Sequence, residues 1–467
     1  MSTLPAGWVM TCIADIALFN PKTIAEDSLK AAFAPMQFLG TRYRDRMAFE
    51  ERPWGEIKKA YVHFQPRDVI VAKVTPCFEN GKAGVAPPLP NSIGAGSSEF
   101  CVFRPAQGVD ERYLLAWLST EDFRRRATVA MTGSVGLKRV PKEVFLSEQI
   151  PLAPEAEQKR IADKLDTVLT RVDAVNTRLA RVAPLLKRFR QSVLAAATSG
   201  RLTEDWRKSK TGAIALEYQS IELTIPYAHA ITAPKGWAAM RFDAAIDLVG
   251  GSQPPKAVFS DVEQDGYVRL IQIRDYKSDK YKTHIPRELA RRFCSSTDVM
   301  IGRYGPPIFQ ILRGLEGAYN VALMKAVPRQ GIFSNEYLFY FLQKPDLLRY
   351  VEAGSDRTAG QDGVNKDHLI KYPVFAPPTD EQTEIVRRVE TLFAFADRLE
   401  ARLAQAQTAA TRLTPALLAK AFRGELVPQD PNDEPAAELL RRLHAQRATA
   451  PKASAGRGRK AAVQSEG

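Results

Sequence analysis

The sequence has 467 residues, of which 45% are hydrophobic and 25% charged, a balance typical of soluble globular proteins that excludes a chain disordered throughout. This length is too great for one compact core, so we expect two or three domains. Lysine and arginine total 66 against 53 acidic residues, a formal charge of +13, which favours a polyanionic partner such as nucleic acid. No apolar run approaches the roughly 18 residues of a membrane span, and the start lacks a signal-peptide layout, so we expect a cytoplasmic protein.

Residues 1–150 alternate short strand and helix patterns and are rich in aromatic residues, which predicts a first globular domain of mixed α/β structure. Two glycine-containing stretches lie within this range. Residues 81–83 carry only part of the phosphate-loop pattern and residues 94–99 only part of the dinucleotide-binding pattern, so we predict turns at both places.

A long helix is predicted over residues 151–203. Apolar residues recur from Ile161 to Val193 at alternating steps of four and three, which is an uninterrupted heptad pattern. With a rise of about 1.5 Å per residue, the helix reaches on the order of 60 Å. Pro184 lies inside the pattern, where we expect a kink or a restart. The predicted core positions include Ile161, Leu165, Val168, Val172 and Leu179.

The second half of the sequence repeats landmarks of the first in the same order. After a connector at residues 204–232, a second globular domain is predicted over residues 233–376. Gly7-Trp8 is echoed by Gly236-Trp237, and Tyr113-Leu114 by Tyr337-Leu338. The segments between these landmarks scarcely match, which indicates either two readers of different targets on one scaffold or plain divergence.

A second long helix is predicted over residues 377–430. The segment 154–158 reappears at 378–382, displaced by 224 residues. Each apolar position of the first heptad pattern, which we call its seam, also has an apolar residue 224 positions later. Pro415 lies inside this pattern too. A C-terminal segment follows at residues 431–467, and from about Thr449 it is small, polar and basic, which is typical of a disordered tail. The predicted core positions include Ile385, Val389, Leu392, Leu399 and Leu403.

Two matched seams in one chain favour packing of the helices on each other within the molecule, most plausibly antiparallel. The alternative is that each seam pairs with a second copy of the chain. We therefore predict an α+β protein with a pseudo-twofold internal repeat. Two mixed α/β domains are separated by two long helices that form an intramolecular antiparallel coiled coil.

Basic, amide and tyrosine side chains cluster beside turns in both globular domains. Arginine, asparagine and glutamine carry the bidentate groups that read base edges, lysine suits phosphates, and glycines let the backbone approach a phosphate. For any one of these residues, a solvated surface charge is the alternative. The candidates are Arg42, Arg44, Arg46, Lys73, Lys138 and Arg139 in the first domain, and Arg269, Gln272, Arg274, Tyr276, Lys277, Arg303, Tyr304, Arg357, Gln361, Asn365 and Lys366 in the second.

The end of the first long helix is also basic. Between Val175 and Thr203 the chain has no acidic residue and several basic ones, including Arg178, Arg190 and Arg201. Such a face suits either a duplex backbone or the surface of a protein partner.

Residue constellations for catalysis are missing. The four cysteines and five histidines lie without the spacing of metal ligands, so we expect no metal site and reduced, structural cysteines. The sequence has neither the Asn-Pro-Pro-aromatic segment of adenine methyltransferases nor a Gly-x-Ser-x-Gly elbow. We therefore expect no catalytic residue and no bound cofactor in this chain.

Three motifs occur twice and in the same order: a Pro-x-Gly-Trp opening at residues 5–8 and 234–237, a Pro-x-x-Glu-Gln helix start that ends at Gln158 and Gln382, and helix ends at 199–202 and 423–426. In this layout the sequence resembles the specificity subunits of type I restriction-modification enzymes. The resemblance covers nearly the whole chain outside the tail.

The resemblance implies a sequence-specific DNA-binding subunit with two target-recognition domains, each reading half of a split, asymmetric site in double-stranded DNA. The conserved helices would set the gap between half-sites and dock two methyltransferase subunits. Those partners would supply S-adenosylmethionine and methylate adenine, while motor-nuclease restriction subunits would use ATP and magnesium. The chain itself would be non-catalytic.

Three other functions stay open at this point. One alternative is the specificity subunit of a related system in which one partner both cuts and methylates, and the neighbouring genes would distinguish the two. A coiled-coil scaffold with two RNA-binding or protein-binding modules would carry the same charge. A self-contained nuclease or methyltransferase is the last alternative, and activity of the chain alone would reveal it.

Overall fold

A computed structural model of the protein describes residues 4–134, 136–211, 217–223, 229–358 and 361–449. The chain divides into two compact units, one formed by residues 1–180 with 405–467 and the other by residues 181–404. Each unit contains one globular domain and part of each long helix. Within the described ranges, no helix combines the length and apolarity needed to cross a membrane.

The first globular domain is built on two four-stranded sheets. Its strands are β1 Val9–Cys12, β2 Ala17–Phe19, β3 Lys30–Ala34, β4 Glu50–Pro53, β5 Val62–Phe64, β6 Val69–Ala72, β7 Ala83–Val85, β8 Gly94–Gly96, β9 Phe100–Pro105, β10 Thr132–Ser134, β11 Leu137–Arg139 and β12 Gln149–Leu152. One sheet has the order β2-β9-β6-β7 and the other β4-β3-β8-β5. Only β3 and β8 run parallel. Two antiparallel pairs, β1 with β12 and β10 with β11, complete the domain.

The prediction of a turn at residues 94–99 is wrong for residues 94–96, which form the buried strand β8 between β3 and β5, whereas Ser98 and Glu99 do form a turn. Neighbouring groups fill the space where side chains would stand. A Cβ atom on Gly96 would lie 2.6 Å from the carbonyl oxygen of Ala34, and one on Gly94 would lie 2.4 Å from the ring of Phe64. The glycines therefore allow close packing inside a sheet rather than a turn.

Short helices close the core of the first unit. They are α1 Ile13–Ile16, α2 Trp54–Ile57, α3 Glu111–Leu118, α4 Glu121–Val129 and α5 Lys142–Leu146, and the long helix α6 Glu155–Thr198 follows. Asp110 caps α3, because its carboxylate accepts hydrogen bonds from backbone N–H groups of the first turn. The buried rings of Phe103, Phe123 and Phe145 pack together, with Phe145 centroids 5.5 and 5.9 Å from the other two. Ile161 of α6 belongs to the same core.

The second globular domain repeats the topology of the first. Its strands are β13 Tyr218–Leu223, β14 His229–Pro234, β15 Ala238–Arg241, β16 Ile246–Gly250, β17 Tyr267–Ile271, β18 His284–Pro286, β19 Phe293–Cys294, β20 Val299–Gly302, β21 Gln310–Leu312, β22 Gly317–Tyr319, β23 Leu323–Pro328, β24 Asp356–Thr358, β25 Gln361–Gly363 and β26 Pro373–Ala376. The sheets have the orders β16-β23-β20-β21 and β18-β17-β22-β19. As in the first domain, one parallel pair, β17 with β22, lies among antiparallel neighbours. The predicted internal repeat is confirmed.

The helices of this half are α7 Glu204–Thr211, α8 Phe242–Ala245, α9 Asn335–Leu342, α10 Pro345–Ala353, α11 Lys366–Leu369, the long helix α12 Thr379–Phe422 and α13 Ala436–Thr449. α13 packs its buried Leu439 and Leu443 into the core of the first unit. This helix was not predicted from the sequence. The predicted disordered tail falls, from residue 450 onward, outside the described residues.

Both long helices have 44 residues, which corresponds to about 66 Å at the usual rise. Each runs through its internal proline as one helix, so neither restarts at Pro184 or Pro415. Gly200 and Gly424 follow the helix ends with φ angles of 77° and 73°, a left-handed conformation that glycine adopts without strain.

The two helices pack antiparallel in each unit. In the first unit, Ile161 and Leu165 near the start of α6 share a core with Leu418 and Phe422 near the end of α12. In the second unit, Val193 and Leu194 near the end of α6 share a core with Ile385 and Val389 near the start of α12. The predicted intramolecular antiparallel pairing is confirmed.

The seam is less regular than predicted. Of the predicted core positions, Ile161, Leu165, Val172, Ile385, Val389 and Leu403 are buried, whereas Val168, Leu179, Leu392 and Leu399 are half-buried. Val175 and Leu413, at 43% and 44% exposure, and Ala406 are exposed. A straight helix drifts by about 20° per heptad relative to an ideal 3.5-residue repeat, so buried positions such as Leu169 replace members of a strict seam.

Candidate nucleic-acid interface

The repeated Pro-x-x-Glu-Gln motif attaches each globular domain to its long helix. The indole N–H of Trp8 donates to Oε2 of Glu157 at 2.9 Å, and that of Trp237 donates to Oε2 of Glu381, also at 2.9 Å. All four side chains are at least nine-tenths buried. The Glu of the motif therefore binds the Trp of the Gly-Trp opening, which explains why both motifs occur in each half.

The Gln of the motif bridges the helix start to the domain. The side-chain amide of Gln158 donates to the carbonyl oxygen of Ala153 at 2.9 Å and accepts from the backbone N–H of Asp110, the cap of α3, at 3.1 Å. Gln382 makes the same two contacts, with Pro377 and with Ser334, the cap of α9. This motif is therefore structural, and it sets the orientation of each domain on its helix.

The two buried glutamates differ in their further partners. Oε1 of Glu381 accepts hydrogen bonds from Thr203 at 2.7 Å and from the guanidinium of Arg207. Oε1 of Glu157 is buried without a hydrogen-bond partner among the described residues. Burial raises the pKa of Glu157, although the hydrogen bond from Trp8 and the charge of Arg160 oppose the rise.

Three of the predicted cations of the first domain lie together. Lys73 and Thr75 extend β6, and the backbone of the β10–β11 hairpin pairs with them: Thr75 N–H donates to Lys138 at 3.0 Å and Val140 N–H donates to Lys73 at 2.9 Å. Arg139 lies in the same hairpin, and Glu99 accepts from its guanidinium at 2.7 to 3.1 Å. Lys73, Lys138 and Arg139 therefore form one basic group, which we call the hairpin cluster.

The other three predicted cations of this domain, Arg42, Arg44 and Arg46, lie exposed in the loop of residues 41–46 between β3 and β4. The carboxylate of Asp45 accepts from two backbone N–H groups of this loop and shapes it. Nε of Arg44 lies 4.0 Å from a carboxylate oxygen of Asp166 on α6. The loop is thus placed against the long helix.

An equivalent set forms in the second domain, because Arg303 and Tyr304 follow β20 as Lys73 follows β6. Tyr304 pairs with Gly363 of the β24–β25 hairpin, and Val364 N–H donates to the carbonyl oxygen of Arg303 at 3.0 Å. The guanidinium of Arg303 lies 5.2 Å from the ring centroid of Tyr304. Of the other predicted residues here, Asn365 caps α11, Lys366 donates to the carbonyl oxygen of Leu248 at 3.3 Å, and the side chains of Arg357 and Gln361 lie outside the described residues.

The remaining candidates lie on β17 and the turn after it. Arg269 forms an ion pair with Asp279 at 3.0 Å, and Arg274 lies over the ring of Tyr281. Gln272 donates to the hydroxyl of Thr283 at 3.2 Å, and Lys277 is exposed.

Tyr276 is placed differently from the other candidates. It packs against the core of Ile271, Cys294 and Met300, and its hydroxyl is buried without a partner among the described residues. Burial raises the pKa of this hydroxyl.

Sequence reasoning missed the acidic partners of these cations. Glu99 and Arg139 are 40 residues apart, and no local spacing relates them. Asp275, which is 4% exposed and accepts from the backbone N–H of Gln272 at 2.9 Å, was missed as well. Its Asp-Tyr neighbourhood gives no pattern that distinguishes a buried turn-forming carboxylate from a surface one. Within the described ranges, no group of His, Cys, Asp and Glu side chains could hold a metal ion.

Comparison with known proteins agrees with this architecture. The family model described as the type I restriction modification DNA specificity domain matches residues 5–183. The specificity subunit of the type I restriction enzyme EcoBI of Escherichia coli is 33% identical over 347 residues, 68% of this chain and 69% of that protein. The EcoKI specificity subunit of Escherichia coli K12 is 28% identical over 466 residues, 95% of this chain and 96% of that protein.

Solved structures share the fold. The HsdS subunit of Thermoanaerobacter tengcongensis superposes with a TM-score of 0.59 at 19% identity, over 91% of this chain and 98% of that one. A chain from a structure of the assembly and conformational transition of a type I restriction-modification system superposes with a TM-score of 0.70 at 20% identity, over 91% of this chain and all of the other.

Proposed function

Because this chain belongs to the family of type I restriction enzyme specificity subunits, we propose that it reads a bipartite, asymmetric DNA site, one half with each globular domain. The observation that carries the proposal is the repetition of both four-stranded sheets and their neighbouring hairpin with different side chains at equivalent places. Lys73 in the first domain and Arg303 in the second follow equivalent strands, and each lies beside a hairpin. Different donors on one scaffold suit two different half-sites.

The remaining candidates divide by chemistry. Exposed lysines such as Lys138 and Lys277 suit phosphates, since an ammonium group is a point charge, whereas arginine and amide side chains suit base edges. Tyr276 contributes to the shape of its turn, because its hydroxyl is buried. In this proposal the candidate loop at 41–46 contacts the DNA backbone near α6.

We further propose that the chain acts in the cytoplasm as the scaffold of a complex. Two methyltransferase subunits bind the long helices and supply S-adenosylmethionine and adenine methylation, and restriction subunits supply ATP- and magnesium-dependent cleavage. Two features of the long helices support a protein contact there. Apolar side chains such as Val175 and Leu413 are exposed, and a basic run extends from Arg178 to Arg201. The chain contributes specificity and no catalytic group.

The test is single-molecule methylome sequencing in a host without other modification systems. The chain is expressed beside its neighbouring methyltransferase gene, and the methyltransferase alone is the control. We expect a split adenine-methylation motif only when the chain is present. Exchange of residues 235–370 for those of another specificity subunit should change one half of the motif and leave the other. An active methyltransferase whose methylation ignores this chain would contradict the proposal.

A further inference from the structure

Arg139 differs from the other candidate cations of the first domain because a carboxylate holds its guanidinium in one orientation. Nε of Arg139 donates to Oε2 and Oε1 of Glu99 at 2.8 and 3.1 Å, and Nη2 donates to Oε1 at 2.7 Å. The side chains are 42% and 26% exposed, so the pair lies at the surface but Glu99 is the more covered partner. The hydrogen bonds from Arg139 lower the pKa of Glu99, which keeps the pair charged near neutral pH.

The backbone beneath this pair is held in place as well. Arg139 forms a β-bridge with Val74, and Val140 N–H donates to the carbonyl oxygen of Lys73 at 2.9 Å. On the other side, Lys73 N–H donates to the carbonyl oxygen of Glu99 at 2.9 Å. Both members of the ion pair are therefore attached to the same short extension of β6. Such double support is what a recognition side chain needs in order to keep one geometry.

Glu99 occupies only one edge of the guanidinium, the edge formed by Nε and Nη2. The outer edge, formed by Nη1 and the second N–H of Nη2, points away from the carboxylate. Two parallel N–H donors in this arrangement match O6 and N7 of guanine in the major groove. A lysine at this position would offer no such fork.

We propose that Arg139 reads a guanine in the half-site of the first domain and that Glu99 is a positioning residue for it. This inference rests on the proposed function of the chain. Lys73 and Lys138 flank the pair as point charges suited to the phosphates beside that base. In the second domain Gly363 takes the place of Arg139, because it bridges Tyr304 as Arg139 bridges Val74, so this guanine contact belongs to the first half-site alone.

The first experiment compares methylation motifs of the wild-type chain with those of R139K and E99Q, each co-expressed with the methyltransferase. The wild-type half-site that changes when residues 1–150 are exchanged should contain a guanine. R139K keeps the charge but loses the fork, so it should accept other bases at that one position, and E99Q should show the same relaxation to a smaller degree. E51Q is the control, because Glu51 pairs with Lys30 at 3.3 Å on an exposed strand of the same domain.

The second experiment measures binding of the purified methyltransferase complex to duplexes in which that guanine is replaced by 7-deazaguanine, which lacks the N7 acceptor. The wild-type complex should lose affinity, by less than the about 5- to 150-fold range of a complete bidentate base contact, because the O6 acceptor remains. The R139K complex should lose much less on the same replacement. The difference between the affinity losses of wild type and R139K can be measured even if R139K methylates poorly. Thermal unfolding of E99Q shows whether that variant is folded.

Two results would overturn the inference: a first half-site without guanine, or equal losses for wild type and R139K on 7-deazaguanine. A uniform loss of R139K affinity for all sequences, with the guanine preference retained, would make Arg139 a phosphate contact and overturn it as well. These outcomes differ from failure of the proposed function, in which the wild-type chain directs no split motif at all.

Discussion

At the scale of single residues, the glutamate of the Pro-x-x-Glu-Gln motif has different hydrogen-bonding and charged partners in the two halves. Glu157 binds Trp8 and leaves one buried oxygen without a partner among the described residues, whereas Glu381 binds Trp237, Thr203 and the guanidinium of Arg207. The same substitution should therefore have different effects at the two positions. E381Q should cost about 3–5 kcal/mol of unfolding free energy, because it removes the negative charge from the buried ion pair of Glu381 with Arg207.

E157Q should be mild and should change the pH dependence of stability. The raised pKa of Glu157 means that the folded chain keeps this proton to higher pH than the unfolded chain. The contribution of Glu157 to the unfolding free energy of the wild type therefore falls as the pH rises from the ordinary carboxyl pKa through the raised pKa. Relative to wild type, E157Q should gain stability as the pH rises above the ordinary carboxyl pKa of about 4. Urea titrations followed by tryptophan fluorescence measure both variants, and equal losses at the two positions would contradict this account.

At the scale of secondary-structure elements, the long helices depend on how they end. A Cβ atom on Gly200 would meet Cγ of Pro234 at 2.5 Å, and the φ of Gly200 is 77°. G200A should therefore lower the free energy of unfolding by at least about 1–2 kcal/mol. Gly236 has open space around its Cα and no positive φ, so G236A is the matched control, expected within about 0.5 kcal/mol of wild type. A neutral G200A in urea titration would show that the helix end does not need this conformation.

A substitution in the interior of the same helices should have the opposite effect on the free energy of unfolding. Pro184 is exposed and lies inside a continuous α6, where its ring removes one backbone hydrogen bond. P184A should raise the unfolding free energy by about 1–3 kcal/mol, since alanine restores the donor and no packing is lost. Calorimetry of P184A beside T177A, an exposed helix substitution expected to have little effect, measures this. A destabilised P184A would mean that the proline is required for the packing of α6.

At the scale of the whole molecule, each unit has its own core, so changes to DNA binding in the two domains should add. Lys138 and Lys277 are exposed candidates for phosphate contacts, one in each domain. Each change to alanine should reduce the slope of log affinity against log salt by about 1, and the double variant by about 2, without altering the motif. K59A, an exposed lysine of the first domain outside the candidate set, is the control.

The measurement is a salt titration of the methyltransferase complex on its cognate duplex. A slope that stays at the wild-type value in K138A or K277A would remove that lysine from the interface. A double variant whose slope differs from the sum of the single changes would indicate that the domains do not bind independently.

The sequence by itself determined the features that depend on periodicity and repetition. The displacement of 224 residues between the helix starts, the paired apolar seams and the recurring Gly-Trp and Glu-Gln motifs are all visible along the chain, because helical packing and capping act over short sequence distances. From them followed the α+β repeat, the intramolecular antiparallel helices and the family.

Only the tertiary structure decided which neighbours hold the candidate side chains. The pairing of Glu99 with Arg139, the burial of the Tyr276 hydroxyl and the placement of strand β8 at Gly94–Gly96 depend on residues far apart in sequence, whose contacts follow from strand order and register. The seam was also corrected there, since exposure at Val175 and Leu413 depends on where the partner helix lies. Such contacts leave no local pattern, because a charge or a glycine has the same sequence neighbours whether it faces water, a partner side chain or a crowded sheet.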